Sequence, residues 1–396
     1  MKSGVFAGVL LIATTGISAQ DVGVSSDHQP NEYTQACLVS PDWDCAISAA
    51  LQTVIEESLP LERSKVLVGV ARAMIEAGDI QKGKDTLELA MAEARSARLD
   101  LVTQDRLKSI APLFARSGDF SSAIALAEEI TIPMLKDRTM IAISEEAILQ
   151  QDPAAARVAI NQISNKSRAF WQRLNMYVRV GSTALAGVDL NALHDEVKAI
   201  ARADYRYRGL VSLAVLAYKQ GNMDAFTQYS DEAADAFGSV YGGEQQAFAA
   251  TMQLKAYVEG GMPQEYIDEA LERASSLARN TSSAELALQL GPLEAKLGQS
   301  EAALSRLRLF SEPGLKAEYL ASLDFNGHMN GTSEHIKELL SDLSGLDGAY
   351  DRDQVRLILL ENAIANKARS LALDIVATME DDDNQAYGLS VSAGIL

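Results

Sequence analysis

Apolar residues recur along most of the chain at the spacing of one helix face, and the faces come in pairs. Leu107, Ile110, Ala111 and Phe114 form one such face, followed after a short polar break by Phe120, Ala123, Ile124 and Ala127. Leu210, Leu213, Ala214 and Ala217 repeat the first type, and Ala303, Leu304, Leu307 and Phe310 the second. Intervals of three and four residues place these side chains on one side of an α-helix. The pattern predicts pairs of short amphipathic helices, with abundant alanine allowing their axes to approach closely.

The breaks between paired helices resemble one another. Gly118-Asp119-Phe120 is one; Gly78-Asp79, Gly221-Asn222 and Gly298-Gln299 are others, with weaker copies at Gly181, Gly261 and Gly331. Gln151-Asp152-Pro153 and Asn366-Lys367 occupy the same place without glycine. The nine centres are spaced about 36 residues apart on average, a period of stacked helical hairpins. Glycine suits the residue just past a helix, where the backbone turns left-handed. The Asp or Asn that follows is expected to cap the next helix through its side-chain oxygen. A single hairpin cannot bury its apolar faces alone, so neighbours must stack.

Two marks recur in register. Arg63, Arg106, Arg138, Arg168 and Arg208 each stand near the start of the first helix of a pair, where an ion pair with a neighbouring unit is expected. Pro112 and Pro292 each precede their turn glycine by six residues, which implies a shared helix bend.

With these marks assembled, the chain resembles the tetratricopeptide family over residues 60 to 380. The unit around Gly118 carries the resemblance through Gly118, Asp119, Phe120, Ala123 and Ala127. The first-helix aromatic and leucine-glycine marks of the family are mostly missing, and the period wanders. The resemblance implies an α/α superhelix whose concave face binds a protein or peptide. The expected fold class is therefore all-α: a superhelical solenoid of about nine stacked hairpins in residues 61–380.

The ends read differently. Lys2, the apolar run Val5 to Ala13 and the small residues to Ala19 have the three-part layout of a secretory signal peptide over 1–19. Residues 20–36 read as a flexible leader, 37–60 as a cap helix and 381–396 as a C-terminal cap or tail. Cys37 and Cys45, the only cysteines, are expected to staple the first cap as a disulfide, since an even count in an exported chain favours pairing. Ser40-Pro41 is expected to open the cap helix. The mostly apolar Ala386 to Leu396 is expected either to close the array or to dock on a second copy. The periplasm, with the extracellular space as alternative, is the expected location.

Charge and chemistry narrow the function without naming it. With 54 acidic residues against 35 basic, the formal charge is −19, which argues against nucleic acid and predicts a partner with basic segments. No stretch after the first is long and apolar enough for a membrane span. No phosphate loop, nucleophile elbow or metalloprotease motif occurs, and no cofactor is expected. His328 and His335 flank Gly331 but supply two ligands where a metal site needs more. Glu380 to Asp383 reads as a solvated acidic turn. The one local basic and aromatic cluster runs from Arg202 to Arg208, and Tyr205, Arg206 and Tyr207 are its candidate partner-binding lip. The reading is an exported, non-enzymatic interaction scaffold. A cell-wall glycan enzyme or its accessory domain is one alternative, and a self-assembling structural protein another.

Overall fold

In the computed structural model, the described residues are 32–56, 59–97, 100–185, 187–324, 332–343, 346 and 348–396. The signal-peptide reading, most of the leader, His328 and Gly331 lie outside them. An opening pair, α1 (Glu32–Val39) and α2 (Trp43–Glu56), precedes the array. Hairpins follow in chain order: α3 (Pro60–Glu76) with α4 (Ile80–Ser96), α5 (Asp100–Arg116) with α6 (Phe120–Glu128), α7 (Pro133–Leu149) with α8 (Pro153–Asn161). Next come α9 (Lys166–Arg179) with α10 (Leu190–Lys198), α11 (Ala203–Lys219) with α12 (Met223–Gly238), and α13 (Gly243–Gly260) with α14 (Gln264–Ala278). The last are α15 (Ala284–Lys296) with α16 (Ser300–Ser305), α17 (Pro313–Ser322) with α18 (Thr332–Asp342), and α19 (Ala349–Ala365) with α20 (Arg369–Ala377). A final helix, α21 (Asp382–Ser392), ends the chain with a 3-10 turn at Ala393–Ile395. No strand occurs among the described residues, and their helices follow one another as successive hairpins in an all-α repeat fold.

Seven of the hairpin turns share one hydrogen-bond rule. At Gly118, the glycine N–H donates to Ala115 O at 2.9 Å and the next residue, Asp119, to Phe114 O at 2.9 Å. This pair of bonds, a Schellman motif, satisfies carbonyls that a helix end leaves orphaned. The same two bonds form at Gly78, Gly221, Gly261 and Gly298, and also at Gln151 and Lys367. Gln151 (φ 57°) and Lys367 (φ 54°) are the only non-glycine residues with positive φ among those described. Both were placed at turn centres by register alone.

Capping is selective. Asp119, Asp152 and Asn222 accept from backbone amides of the helices they precede. Asp79 does not cap; its carboxylate pairs with Lys82 at 2.7 Å instead. At Gly181 the tight turn is replaced by a 3-10 turn, Ser182–Leu185, and a longer link. There Lys219 Nζ donates to the carbonyls of Val178 and Val180, both at 2.6 Å, and so ends α9 without a left-handed residue. Pro112 and Pro292 both sit inside helices that run on for another turn.

The chain forms two compact units. The first contains residues 32–113, Glu312–Ser322 and 332–396; the second contains Phe114–Ser311 and 323–324. In the first unit α1 to α3 share one core with α20 and α21. Helix α21 packs along α3 and α2, and α1 touches α20 and α21. Arg369 donates to Pro41 O at 2.7 Å, Gln35 to Gln385 at 3.2 Å, and Lys65 Nζ to Asn384 Oδ1. Arg72 forks onto Glu361 at 2.5 and 2.8 Å. Gly69 lets α21 come close, for a Cβ there would collide with Ser390 and the Tyr387 ring. Ala386, Leu389, Val391 and Ala393 are buried in this core, so the apolar tail is spent inside its own unit.

Residues from Glu32 onward are helical, not leader, because α1 packs on α2. Asp42, not Ser40, opens α2, its carboxylate accepting from Cys45 N at 2.8 Å. Cys37 and Cys45 stand at disulfide distance with Cα atoms 5.6 Å apart, joining α1 to α2. Glu380 to Asp383 is not a free acidic turn. Glu380 accepts from Arg352 and Arg356, Asp381 caps α21, and both backbone amides donate to buried Asp353. Two arginines hold the Glu380 carboxyl down to about 2, chiefly through the Arg352 hydrogen bond.

The second unit has a counterpart to Asp353. Asp137 on α7, also buried, accepts from Ser164 N at 2.7 Å, Ser164 Oγ at 2.9 Å and Asn165 N at 3.1 Å. Each aspartate reaches from the first helix of its hairpin to the loop that leaves the second. Glu145, eight residues after Asp137, gathers Gln172 at 2.5 Å, Asn175 at 3.0 Å and Arg179.

Candidate functional site

The candidate site lies in the second unit, on the opening turns of α9 and α11. Asn165 caps α9 by accepting from Arg168 N at 3.0 Å, which fixes the register of Arg168, Phe170, Trp171 and Arg173. Arg168 and Trp171 are three residues apart and so neighbours on the helix surface. On α11, Tyr205 and Arg208 have the same relation, with Arg202 just before the helix.

These side chains interleave across the two helices. The Arg202 guanidinium lies 4.3 Å from the Tyr205 ring centre, and that ring is 5.9 Å from Trp171. Arg208 covers Trp171 at 4.5 Å. Phe170 meets Trp171 edge-on at 5.1 Å, and Arg173 lies 5.6 Å from Phe170. The result is a run of three rings, Tyr205, Trp171 and Phe170, each with an arginine against it, partly open to solvent, with Tyr205 38% exposed. Contacts of this kind contribute roughly 0.5–1 kcal/mol each at exposed sites and more when desolvated.

The charges in this strip are not equally engaged. Arg202 forks onto Asp204 at 3.1 and 2.6 Å. Partial burial opposes ionisation of Asp204, but the Arg202 bond and backbone donors outweigh it and lower the carboxyl's pKa. Arg173 donates to Glu196 at 2.5 Å. Arg208 is different. Its guanidinium makes no hydrogen bond among the described residues; burial pushes its pKa down, and the nearby Glu259 only partly compensates.

The three residues read as a lip do not act together. Tyr205 is on the strip. Arg206 turns back and donates to Ile200 O at 3.1 Å, tying down the end of α10. Tyr207 belongs to the core at 1% exposure, its hydroxyl donating to Gln253 at 2.6 Å and its ring 5.1 Å from Phe237. Alternation in sequence put Tyr205 and Tyr207 side by side, but on a helix residues two apart point away from each other. The missed partners were Trp171 and Phe170. The three-residue spacings Arg168–Trp171 and Tyr205–Arg208 were the available signal.

Beyond the strip, α11 offers no open face. Every residue from Gly209 to Ala217 is buried. Helices α9 and α13, on either side of α11, also touch each other. A Cβ on Gly260 would meet Val215 and lie 3.6 Å from Val178, so the ends of these three helices converge. On α11 the solvent-exposed side chains are therefore those of the opening turns.

The ladder of arginines is not a uniform ion-pair series. Arg63 pairs with Glu93 of its own hairpin at 2.6 Å, and Arg208 stacks on a ring. Arg106 reaches only Leu61 O at 3.4 Å, and burial lowers its pKa. His194, on α10, meets Glu232 of α12 at 2.7 Å beside the Tyr229 ring, a pairing between the helices of adjacent hairpins. His335 faces Glu338 at 3.6 Å. Among the described residues no three His, Cys, Asp or Glu side chains gather as a metal site, and no helix is long and apolar enough to cross a membrane.

No protein-family model matches the chain, and no curated protein matches it. Among solved structures it is similar to a "Circular tandem repeat protein with novel repeat topology and enhanced subunit contact surfaces". That likeness spans 92% of this chain and 87% of the other at 15% identity, with a TM-score of 0.20.

Proposed function

We propose that the chain is an exported, non-enzymatic scaffold, a degenerate tetratricopeptide-like array, that holds a partner protein or peptide. The observation that carries the reading is the half-exposed strip of Phe170, Trp171, Arg202, Tyr205 and Arg208. Tryptophan, tyrosine and arginine are the residues over-represented where interfaces concentrate their binding energy. They are held here by helix starts with fixed register, so little order is lost on binding. The first nineteen residues supply the export part of the reading, and the Cys37–Cys45 pair fits an oxidising compartment.

A photo-crosslinking residue at position 205, compared with one at exposed Leu89 of the first unit, tests the proposal. Recovery of one reproducible protein from position 205 and not from position 89 is expected. Equal recovery from both positions, or turnover of a glycan substrate by the purified chain, overturns it. Cell fractionation with N-terminal sequencing of the mature protein tests the address, which an uncleaved, cytosolic chain would refute.

A further inference from the structure

The whole-chain charge of −19 conceals a segregation. Residues 157–208 contain nine Lys and Arg against four Asp and Glu, leaving 26 basic and 50 acidic residues elsewhere. This basic segment comprises the end of α8, all of α9 and α10 and the opening of α11, and it carries the aromatic strip. At physiological ionic strength charges farther apart than about 8 Å are largely screened. The charge a bound segment meets at contact is therefore that of the strip, not that of the whole chain.

The arginines of the basic segment divide into engaged and unengaged ones. Arg179 pairs with Glu145, Arg173 with Glu196, and Arg202 with Asp204. Arg208 has no hydrogen-bonded acid, and Arg168 stands exposed three residues before Trp171. A guanidinium lying over an aromatic ring keeps its N–H groups in its own plane, where a carboxylate accepts two of them at once. The two rings have guanidiniums over them already, Arg208 over Trp171 and Arg202 over Tyr205. That arrangement disfavours ring-stacking ligands such as sugars and bases, and favours ligands that take up N–H donors.

Resting on the scaffold reading, we propose that Arg208, lying over Trp171, and Arg168, one helical turn before Trp171, bind an acidic segment of a partner protein alongside the Trp171 and Tyr205 rings. Glu or Asp side chains of that segment take the free guanidinium donors, and its apolar side chains cover the ring edges. The partner is acidic at the contact even though the host chain is acidic overall. Whole-chain repulsion then slows encounter at low salt, while the short-range pairs set residence.

The test uses the full chain and three fluorescein-labelled peptides of equal length, alternating Leu with Glu, Lys or Ser. Fluorescence anisotropy is read in about 0.1 M and about 0.5 M salt. The Glu peptide is expected to bind at least tenfold tighter than the Ser peptide, and to weaken at the higher salt. Arg208→Gln is expected to weaken it about tenfold, with Arg208→Lys in between, because lysine keeps the charge but not the fork. Arg308→Gln, at a distant position in the same unit, serves as control, and circular dichroism confirms that each variant folds. Preference for the Lys peptide, or an unchanged affinity in folded Arg208→Gln, overturns the inference. So does a dimer in sedimentation that Arg208→Gln dissolves, since the occupant is then a second copy. If position 205 crosslinks a partner through a neutral or basic segment, the acidic inference falls while the scaffold reading stands. If it crosslinks nothing and no peptide binds, both fall.

Discussion

Hairpin α7/α8 of the second unit and hairpin α19/α20 of the first are built to one plan and finished differently. Each turns through a non-glycine residue, Gln151 or Lys367, held left-handed by the two Schellman bonds. Fourteen residues before that turn, each carries a buried aspartate that anchors the outgoing loop. Around Asp137 the loop is neutral, Ser164 and Asn165, and hydrogen bonds suffice. Around Asp353 the loop is Glu380 and Asp381, and three carboxylates crowd one site. Arg356 and Arg352 are the response: Arg356 bridges Asp353 at 2.7 Å and Glu380 at 2.8 Å. A buried anion is tolerated with N–H donors alone when its surroundings are neutral, and needs a cation when they are not.

The largest expected effect tests that difference. Asp353→Ala takes one of two acids from Arg356 and strands three N–H donors, and should destabilise by about 3–5 kcal/mol. Asp137→Ala leaves only neutral donors beside solvent and should cost about 2–3 kcal/mol. Hydrogen exchange at the two loops reports each unit separately, and equal losses would break the comparison. A middle-sized effect sharpens the shared part of the plan. Gln151→Gly and Lys367→Gly should each raise stability by up to about 1 kcal/mol, because glycine relieves the left-handed strain. Gly118→Ala, at φ 85°, should lower it by about 1 kcal/mol or more in thermal melts.

The smallest effect concerns pH. Glu380 has its pKa lowered from 4.5 to about 2, so the native state binds fewer protons than the unfolded one across that interval. Its contribution is present above about 4.5 and is lost as pH falls toward 2. Protection of the amides of Glu380 and Asp381 should therefore decline in this interval more than that of Ser164 and Asn165. Glu380→Gln should remove the added decline; a slope that survives the substitution assigns it to another group.

Legibility followed distance along the chain. Seven turn centres were readable, Gln151 and Lys367 among them, because a helix end is a local event and register fixes where it falls; at Gly181 a 3-10 turn stands instead. Caps were readable where no nearby cation competes; at Asp79, Lys82 wins the carboxylate. Tyr207 was misplaced because a run of alternating Tyr and Arg says nothing about which way each side chain turns on a helix. The roles of Asp137 and Asp353 were hidden, since an aspartate among many carries no mark of burial. The strip was half visible: its arginines and Tyr205 stood out, but the pairing with Trp171 joins residues more than thirty positions apart. The packing of α21 on α3 left no local trace at all.

That packing has a consequence for synthesis. A chain is made from its N-terminus, so α3 emerges roughly 300 residues before the helix that covers it. At about 5–20 residues per second the delay is on the order of 15–60 seconds. Throughout it the apolar side of α3 that α21 will bury stays uncovered, while Phe114 to Ser311, a continuous stretch, can already collapse on itself. Helix α21 is thus the late closing piece of a core begun at α3. A nascent chain stalled short of Asp382 should be the form that holdase chaperones retain longest.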